Sequence, residues 1–197
     1  MPVRCDITEP EIVFTDEKIP CRQIRSVTEY RFDDIRPGDR VLDIGANIGA
    51  FSIRAAMMGG QVTAVEPVTA DLLCRNIRAN GVSVQVIAGA LGDGRPQKIC
   101  WDDCRVVCRT YTLRDLITMA GGCDFLKCDC EGAEWLISPQ DLAPVRRIEM
   151  EIHTPPISGP VNPALLEYIS RWYDFRIDRK PCHDILGVMG VLHAERK

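Results

Sequence analysis

Three features that define other classes of protein are absent from this sequence. No apolar run reaches the ~18 residues that a helix needs to cross a lipid bilayer. No secretory signal peptide is recognisable, because Arg4, Asp6 and Glu9 interrupt the N-terminal stretch. The chain also has no internal repeat and no low-complexity segment. We therefore expect a globular, cytoplasmic protein with no membrane partner.

The sequence also lacks an excess of positive charge. Its 24 lysine and arginine residues are outnumbered by 28 acidic residues, which gives a net charge of −4. Such a chain has no general attraction for the phosphate backbone of a nucleic acid, so binding to RNA or DNA would require a local basic patch. Acidic residues lie among the arginines between positions 22 and 40, and we interpret this stretch as a solvated mixed surface. A nucleic-acid partner is not expected.

Cysteine, by contrast, is abundant, with ten residues among 197. Without a secretory signal, these cysteines are expected to be reduced thiols rather than a disulfide framework. Cys100, Cys104 and Cys108 recur at intervals of four and would share one face of a helix or strand, but they lack the C-x2-C pair typical of zinc sites. We interpret them as small buried thiols.

The most informative stretch runs from Arg40 to Pro67. Val41–Ile44 is a short apolar run typical of a buried parallel strand, and a glycine-rich turn and an amphipathic helix follow it. Gln61–Val65 is a second such run, and it ends at Glu66. A βαβ unit with a glycine-rich first turn and a carboxylate after its second strand is the layout of a nucleoside-binding crevice. We expect Glu66 to accept hydrogen bonds from both ribose hydroxyls.

The residue in the middle of the glycine-rich turn indicates which nucleoside-containing ligand the crevice binds. A dinucleotide site requires G-x-G-x-x-G, but Asn47 replaces the second glycine here and would obstruct a pyrophosphate. S-adenosylmethionine (SAM) has no phosphates, and the D-I-G-A-N-x-G string resembles motif I of class I SAM-dependent methyltransferases. This resemblance implies SAM as cofactor and S-adenosylhomocysteine as its product. The implied cofactor-binding residues are Asp43, Gly45, Asn47, Gly49, Glu66, Pro67, Ala90, Leu91 and Asp129.

The rest of the chain predicts an α/β fold of the Rossmann-like class I methyltransferase type. Further strands are expected at 82–88, 123–127 and 145–153, helices at 69–80, 112–119 and 163–173, and a loop at 89–94. Residues 97–110 read as a hairpin insertion turning at 101–103, and residues 175–179 with 186–193 read as a C-terminal antiparallel hairpin. The sheet should then be seven-stranded and mostly parallel.

The N-terminal segment, residues 1–37, stands apart from this repeat and precedes a SAM-binding domain at 38–197. Within it, Glu11–Phe14 is predicted to be a short strand. Ile24–Phe32 is predicted to be a helix that packs under the sheet or caps the pocket.

A second motif follows the predicted fourth strand, where residues 124–134 read D-F-L-K-C-D-C-E-G-A-E. Its carboxylates crowd the end of a buried strand, which is costly unless they are paired or used. Together with motif I and the Glu151-Ile152-His153 strand end, this string resembles the FkbM-type methyltransferases. That resemblance covers residues 41–153 and implies O-methylation of hydroxyl groups on sugars or other small molecules.

Methyl transfer to a hydroxyl is an in-line displacement that gains from a positioned base. Asp129, Glu131 and His153 are the candidates for this base or for holding the acceptor. Lys127 could offset the local negative charge, and Glu134 could cap the following helix. The other two histidines, at 183 and 193, have no recognisable partner and are interpreted as surface residues.

Three alternatives stay open. The Asp129, Glu131 and His153 set could hold a divalent ion, but nothing in its spacing requires one, so we assign no metal. The stretch 41–81 also resembles tRNA guanine methyltransferases, although the N-P-P-Y-like motif of amine methylation is missing. Finally, the small chain could be a non-catalytic SAM-binding subunit that needs a partner, or a homodimer that completes its own pocket.

Overall fold

A mixed β-sheet forms the centre of the molecule, and its central strands coincide with the short apolar runs of the sequence. The computed structural model describes residues 11–15, 27–101, 104–180 and 187–197. In chain order the strands are β1 Arg40–Ile44, β2 Gln61–Val65, β3 Val84–Ile87, β4 Ala90–Leu91, β5 Pro96–Trp101, β6 Cys104–Tyr111, β7 Phe125–Cys128, β8 Arg147–His153, β9 Tyr173–Arg179 and β10 Val188–Arg196.

Seven of these strands form one sheet in the order β3-β2-β1-β7-β8-β10-β9. The five strands from β3 to β8 run parallel, whereas β10 pairs antiparallel with both β8 and β9. This confirms the predicted Rossmann-like α/β fold with its C-terminal antiparallel hairpin. The chain order reverses direction between β1 and β7, and the carboxyl ends of these two strands border the crevice where open α/β sheets bind ligands.

Helices cover both faces of the sheet. They are α1 Ala50–Met57, α2 Ala70–Ala79, α3 Leu113–Met119 and α4 Pro163–Trp172. The α1 side holds one core with Phe51 and Phe125, and the α3–α4 side holds another with Leu116 and Ile169. Covering both faces explains why the central strands are continuous apolar runs. Among the described residues, no helix is long and apolar enough to cross a membrane.

The predicted hairpin insertion is present, since β5 and β6 pair antiparallel from Pro96↔Arg109 to Trp101↔Cys104. Its expected turn residues 102 and 103 lie outside the described residues. The expected loop at 89–94 is wrong in part, because Ala90 and Leu91 pair with the end of β6 as a short strand. The three regularly spaced cysteines do not follow one element either: Cys100 lies in β5, whereas Cys104 and Cys108 lie in β6.

The N-terminal predictions are corrected where the structure describes the segment. Residues 11–15 form no strand, because their backbone groups bond to side chains at the end of α2 instead of to a neighbouring strand. The side chain of Asn80 bonds both the N–H and the C=O of Val13, and that of Asn76 accepts the N–H of Thr15. Residues 27–32 form a turn rather than a helix, since Val27 has a left-handed φ of 41°. Residues 24–26 of that predicted helix lie outside the described residues.

Candidate active site

The turn after β1 is shaped by its contact with the end of β7. Gly45 has a φ of 74°, and a Cβ at this position would collide with the main-chain carbonyl oxygen of Asp129. Asn47 is also left-handed, with a φ of 49°, a conformation that asparagine tolerates better than most residues. Its side-chain oxygen Oδ1 is buried and has no hydrogen-bond partner in the described structure. The turn therefore presents an unpartnered acceptor beside the crevice.

Glu66 closes the other side of this turn. Its Oε2 accepts the backbone N–H of Asn47 at 2.9 Å, and its Oε1 accepts those of Val68 at 2.6 Å and Thr69 at 2.9 Å. A carboxylate offers about four acceptor positions, so three backbone bonds leave about one for a ligand. We expected two ribose hydroxyls here, and the arrangement has room for one. The backbone bonds fix the direction of the carboxylate before a ligand arrives.

A cavity of about 380 Å³ opens at this edge of the sheet, within the range of small-molecule pockets. Most of the sequence-predicted site residues line it: Gly45, Asn47, Glu66, Pro67, Ala90, Leu91, Asp129 and Glu131. Three others lie off its wall, namely Asp43, Gly49 and His153. The structure thus brings both sequence motifs to one cavity.

Asp43 lies beneath this wall as part of a buried ion pair. Its Oδ1 is 3.2 Å from Lys127 Nζ, and its Oδ2 accepts the hydroxyl hydrogen of Ser52 at 2.6 Å. Lys127 Nζ also donates to the carbonyl oxygen of Gly45 at 2.7 Å. Burial disfavours the Lys127 charge, but Asp43 and Asp129 outweigh it and raise the pKa of this ammonium. Lys127 therefore offsets negative charge, as expected, and ties β7 to the turn.

The acidic motif after β7 points into the cavity. Asp129 is 28% exposed and accepts the hydroxyl hydrogen of Tyr30 at 2.9 Å, while Glu131 is 51% exposed. Glu131 holds a left-handed φ of 53°, a strained conformation that turns the chain back at this point. Burial raises the pKa of Asp129 to about 6 against the opposing effect of Lys127, and burial also raises the pKa of Glu131.

His153 lies behind these carboxylates and is almost completely buried. Its Nδ1 is 3.1 Å from Glu134 Oε1; because a carboxylate only accepts, Nδ1 carries the hydrogen. Its Nε2 makes no hydrogen bond but lies 3.4 Å from Glu151, 3.5 Å from Glu131 and 3.8 Å from Asp129. Burial lowers the pKa of His153, but the neighbouring carboxylates of Glu134 and Glu151 outweigh it and raise the pKa to about 10.

Glu134 does more than cap the following turn. Its Oε2 accepts the N–H of Gly132 at 2.9 Å, at the start of the 3-10 helix Ala133–Leu136. Its Oε1 accepts both the backbone N–H of His153 at 2.8 Å and the ring hydrogen. The side chain is fully buried, so it fixes the orientation of His153 from the protein side.

Sequence reasoning missed several residues on the cavity wall, among them Tyr30, Glu151 and Lys180. Lys180 Nζ is 2.6 Å from Glu151 Oε1. Burial would raise the pKa of Glu151, but His153 and Lys180 lower it to about 2. The E-x-H strand end already pointed to Glu151. Nothing local marks Tyr30 or Lys180, since each reaches the cavity from a distant part of the chain.

His193 corrects the prediction of a surface residue. It is buried, and its Nδ1 is 2.6 Å from Glu149 Oε2. Glu149 is itself fully buried and accepts two hydrogen bonds from Arg147. A partial signal was present, because His193 lies within an apolar run of the sequence, but its partner is identified only by the register that places His193 opposite Glu149. His183 lies outside the described residues.

Comparison with solved structures finds methyltransferases at low sequence identity. A precorrin-6y C5,15-methyltransferase from Geobacter metallireducens matches with a TM-score of 0.58 and 15% identity over 95% of each chain. The methyltransferase FkbM from Methylobacillus flagellatus matches with a TM-score of 0.54 and 16% identity over 80% of this chain. Aeropyrum pernix fibrillarin, solved with natively bound SAM, matches with a TM-score of 0.51 and 13% identity over 81% of this chain and 67% of its own.

The shared feature is the fold, a Rossmann-like methyltransferase sheet. This chain spans only 43% of the length of the FkbM protein, and 38% of another methyltransferase that it matches. No protein-family model matches the chain, and no curated protein does.

Proposed function

We propose that this protein is a SAM-dependent methyltransferase that methylates a hydroxyl group of a small molecule. The observation that carries the proposal is that the motif I turn, Glu66 and the Asp129–Glu131 motif line one cavity. The fold supports it, because proteins that share this sheet are methyltransferases and one of them was solved with SAM.

The residues around the turn fit the cofactor. Glu66 keeps one acceptor position for a ribose hydroxyl, and Asn47 lines the same part of the cavity wall. Ala90 and Leu91 on the same wall offer an apolar surface for the adenine ring. Gly45 lets the turn approach β7, while Gly49 and Asp43 support it from outside the cavity.

The acceptor side of the cavity is assigned to the acidic motif. When bound, SAM supplies an electrophilic methyl group on a sulfonium, so the protein has to place and deprotonate the acceptor. Asp129 and Glu131 reach the cavity and can accept the hydroxyl proton. His153 lies behind these carboxylates and off the cavity wall, so we assign it a supporting role rather than that of the base.

The charge of the cavity favours a small acceptor over a nucleic acid. Its described wall carries the carboxylates of Glu29, Glu66, Asp129, Glu131 and Glu151. Two lysines, Lys127 and Lys180, oppose them. An excess of negative charge repels a phosphate backbone, whereas a neutral or cationic hydroxylated molecule experiences no such repulsion.

The proposal is tested by measuring release of S-adenosylhomocysteine from SAM in the presence of a panel of hydroxylated small molecules. Asp129→Asn should lower acceptor-dependent release by about 10²–10⁴-fold. Glu167→Gln, an equal loss of charge on the exposed face of α4, should leave it unchanged. Release that is equal in Asp129→Asn and the unaltered chain would refute the assigned base. Acceptor-dependent release with tRNA alone would favour RNA methylation.

A further inference from the structure

The Nε2 atom of the His153 ring makes no hydrogen bond in the described part of the chain and faces three carboxylates of the cavity wall. Within the described residues, Asp129, Glu131 and His153 each offer one ligand atom, and these atoms all lie within 4.8 Å of one another. The imidazole is about 99% buried, yet its Nε2 makes no hydrogen bond. An acidic cluster alone would not indicate a ligand, but a buried, unpartnered nitrogen aimed into it does.

The separations fit a metal ion better than a direct contact. Two ligand atoms each ~2.1 Å from an ion in tetrahedral geometry lie ~3.4 Å apart. Nε2 is 3.4 Å from Glu151 Oε2, 3.5 Å from Glu131 Oε2 and 3.8 Å from Asp129 Oδ1, and each distance is too long for a regular hydrogen bond. A hydrogen on Nε2 would therefore stay unpaired, whereas an ion placed between the three atoms would use all of them.

The surroundings of His153 match those of a metal-binding histidine. The Glu134 carboxylate accepts a hydrogen bond from Nδ1 at 3.1 Å, which fixes both the tautomer and the ring plane. The carboxylate of a carboxylate–histidine–metal triad does the same. Glu134 is in turn held by the N–H groups of Gly132 and His153. Glu134 and the N–H groups that hold it, all outside the cavity wall, therefore fix the orientation of the ring.

The excess of negative charge around His153 also favours the binding of a cation. Four carboxylates face the His153 ring, those of Asp129, Glu131, Glu134 and Glu151. Lys180 pairs with Glu151, whereas Lys127 is 4.0 Å from Asp129 and is itself paired with Asp43. Even with a protonated imidazole, the described cluster keeps an excess of negative charge, and a divalent ion that displaces the Nε2 proton would reduce it.

We propose that Asp129, Glu131 and His153 Nε2 bind one divalent first-row transition-metal ion, with an open coordination position facing the cavity. A nitrogen ligand among oxygens favours Mn²⁺, Fe²⁺, Co²⁺ or Zn²⁺ over Mg²⁺ and Ca²⁺. Three protein ligands with an open fourth position are typical of a catalytic rather than a structural site. Its use rests on the proposed function: the open position would take the acceptor hydroxyl and lower the pKa of that hydroxyl, and the carboxylate oxygen of Asp129 that does not hold the ion would take the proton.

Mn²⁺ alone, added to the chelator-treated full chain without SAM or acceptor, tests the site. The electron paramagnetic resonance signal of free Mn²⁺ should show one ion bound per chain. Affinity should fall at least tenfold in Glu131→Gln and remain in Glu167→Gln, which removes one surface carboxylate elsewhere. Spin-echo modulation from a coordinated nitrogen should be present in the unaltered chain and absent in His153→Gln.

Binding of equal strength in the unaltered chain and in Glu131→Gln, or no binding at millimolar Mn²⁺, would overturn the proposal. Glu131 is half exposed, so its variant should fold even if the buried His153→Gln variant does not. Because neither SAM nor an acceptor is present, failure of the metal site is distinguishable from failure of the proposed methyl transfer.

Discussion

Two buried histidines in this protein make the same kind of contact through Nδ1 but differ in the groups that face Nε2. His153 and His193 each place Nδ1 on a fully buried glutamate, at 3.1 Å from Glu134 and 2.6 Å from Glu149. In both rings Nε2 makes no hydrogen bond in the described structure. A buried histidine–glutamate pair therefore does not by itself define a functional site.

What differs is the environment of Nε2. In His193 it faces one carboxylate, Asp178 at 3.3 Å, on the outer part of the sheet and away from the cavity. In His153 it faces three carboxylates, and all three line the cavity. The first pair joins β8 to β10 and to the N-terminal segment, whereas the second points towards a place where a ligand can bind.

The largest effect is expected from Asp129→Asn, which removes the proposed base without a change of shape. Turnover should fall by about 10²–10⁴-fold, the usual contribution of general base catalysis. Steady-state kinetics with an accepted hydroxyl compound measures this. An Asp129→Asn variant that keeps full turnover would assign the chemistry to another residue.

Glu149→Ala should break the His193 region and lower the free energy of unfolding by about 3–5 kcal/mol, because the buried Arg147 guanidinium loses its main partner. Urea denaturation followed by circular dichroism provides the value. Asp34, 3.0 Å from Arg147, compensates the charge from the other side, so Asp34→Asn should cost less. If Glu149→Ala were as stable as the unaltered chain, the contacts of Glu149 with Arg147 and His193 would not stabilise the fold.

Tyr30→Phe tests how the N-terminal segment connects to the cavity. Tyr30 donates to Asp129 through its hydroxyl, while the next residue, Arg31, donates its backbone N–H to Glu149. Loss of the Tyr30 hydroxyl should lower stability by about 1 kcal/mol and turnover by less than tenfold. A loss as large as that of Asp129→Asn would mean that Tyr30 itself acts in the chemistry.

The smallest changes in stability are expected at the two exposed carboxylates that face the Nε2 atoms. Glu131→Gln and Asp178→Asn should each change the free energy of unfolding by less than about 0.5 kcal/mol, as exposed substitutions usually do. Turnover should fall only in Glu131→Gln. Equal turnover in both variants would remove the distinction between the two histidine regions.

Much of the fold could be predicted because the signals are local. Runs such as Val41–Ile44, glycine turns and amphipathic helices specify the central sheet, and the motif I turn is recognisable by its residues alone. Thr112 likewise caps α3 with a reciprocal bond to Asp115, close to the predicted start of that helix.

The errors lie where distant contacts decide. Val13 bonds the side chain of Asn80 instead of a neighbouring strand, and Val27 leaves the helical region within a turn. On the cavity wall, Tyr30 and Lys180 come from opposite ends of the chain, and their approach to Asp129 and Glu151 is a consequence of the complete fold. Sequence reasoning located the motifs but not the residues that complete the site.

Calorimetric titration of SAM and S-adenosylhomocysteine into the purified protein tests the central claim most directly. We expect micromolar binding, equivalent to ~8 kcal/mol, that weakens at least tenfold in Glu66→Ala and persists in Glu167→Ala. Absence of binding to the folded chain, or equal affinity in Glu66→Ala, would contradict the assignment of this cavity to SAM.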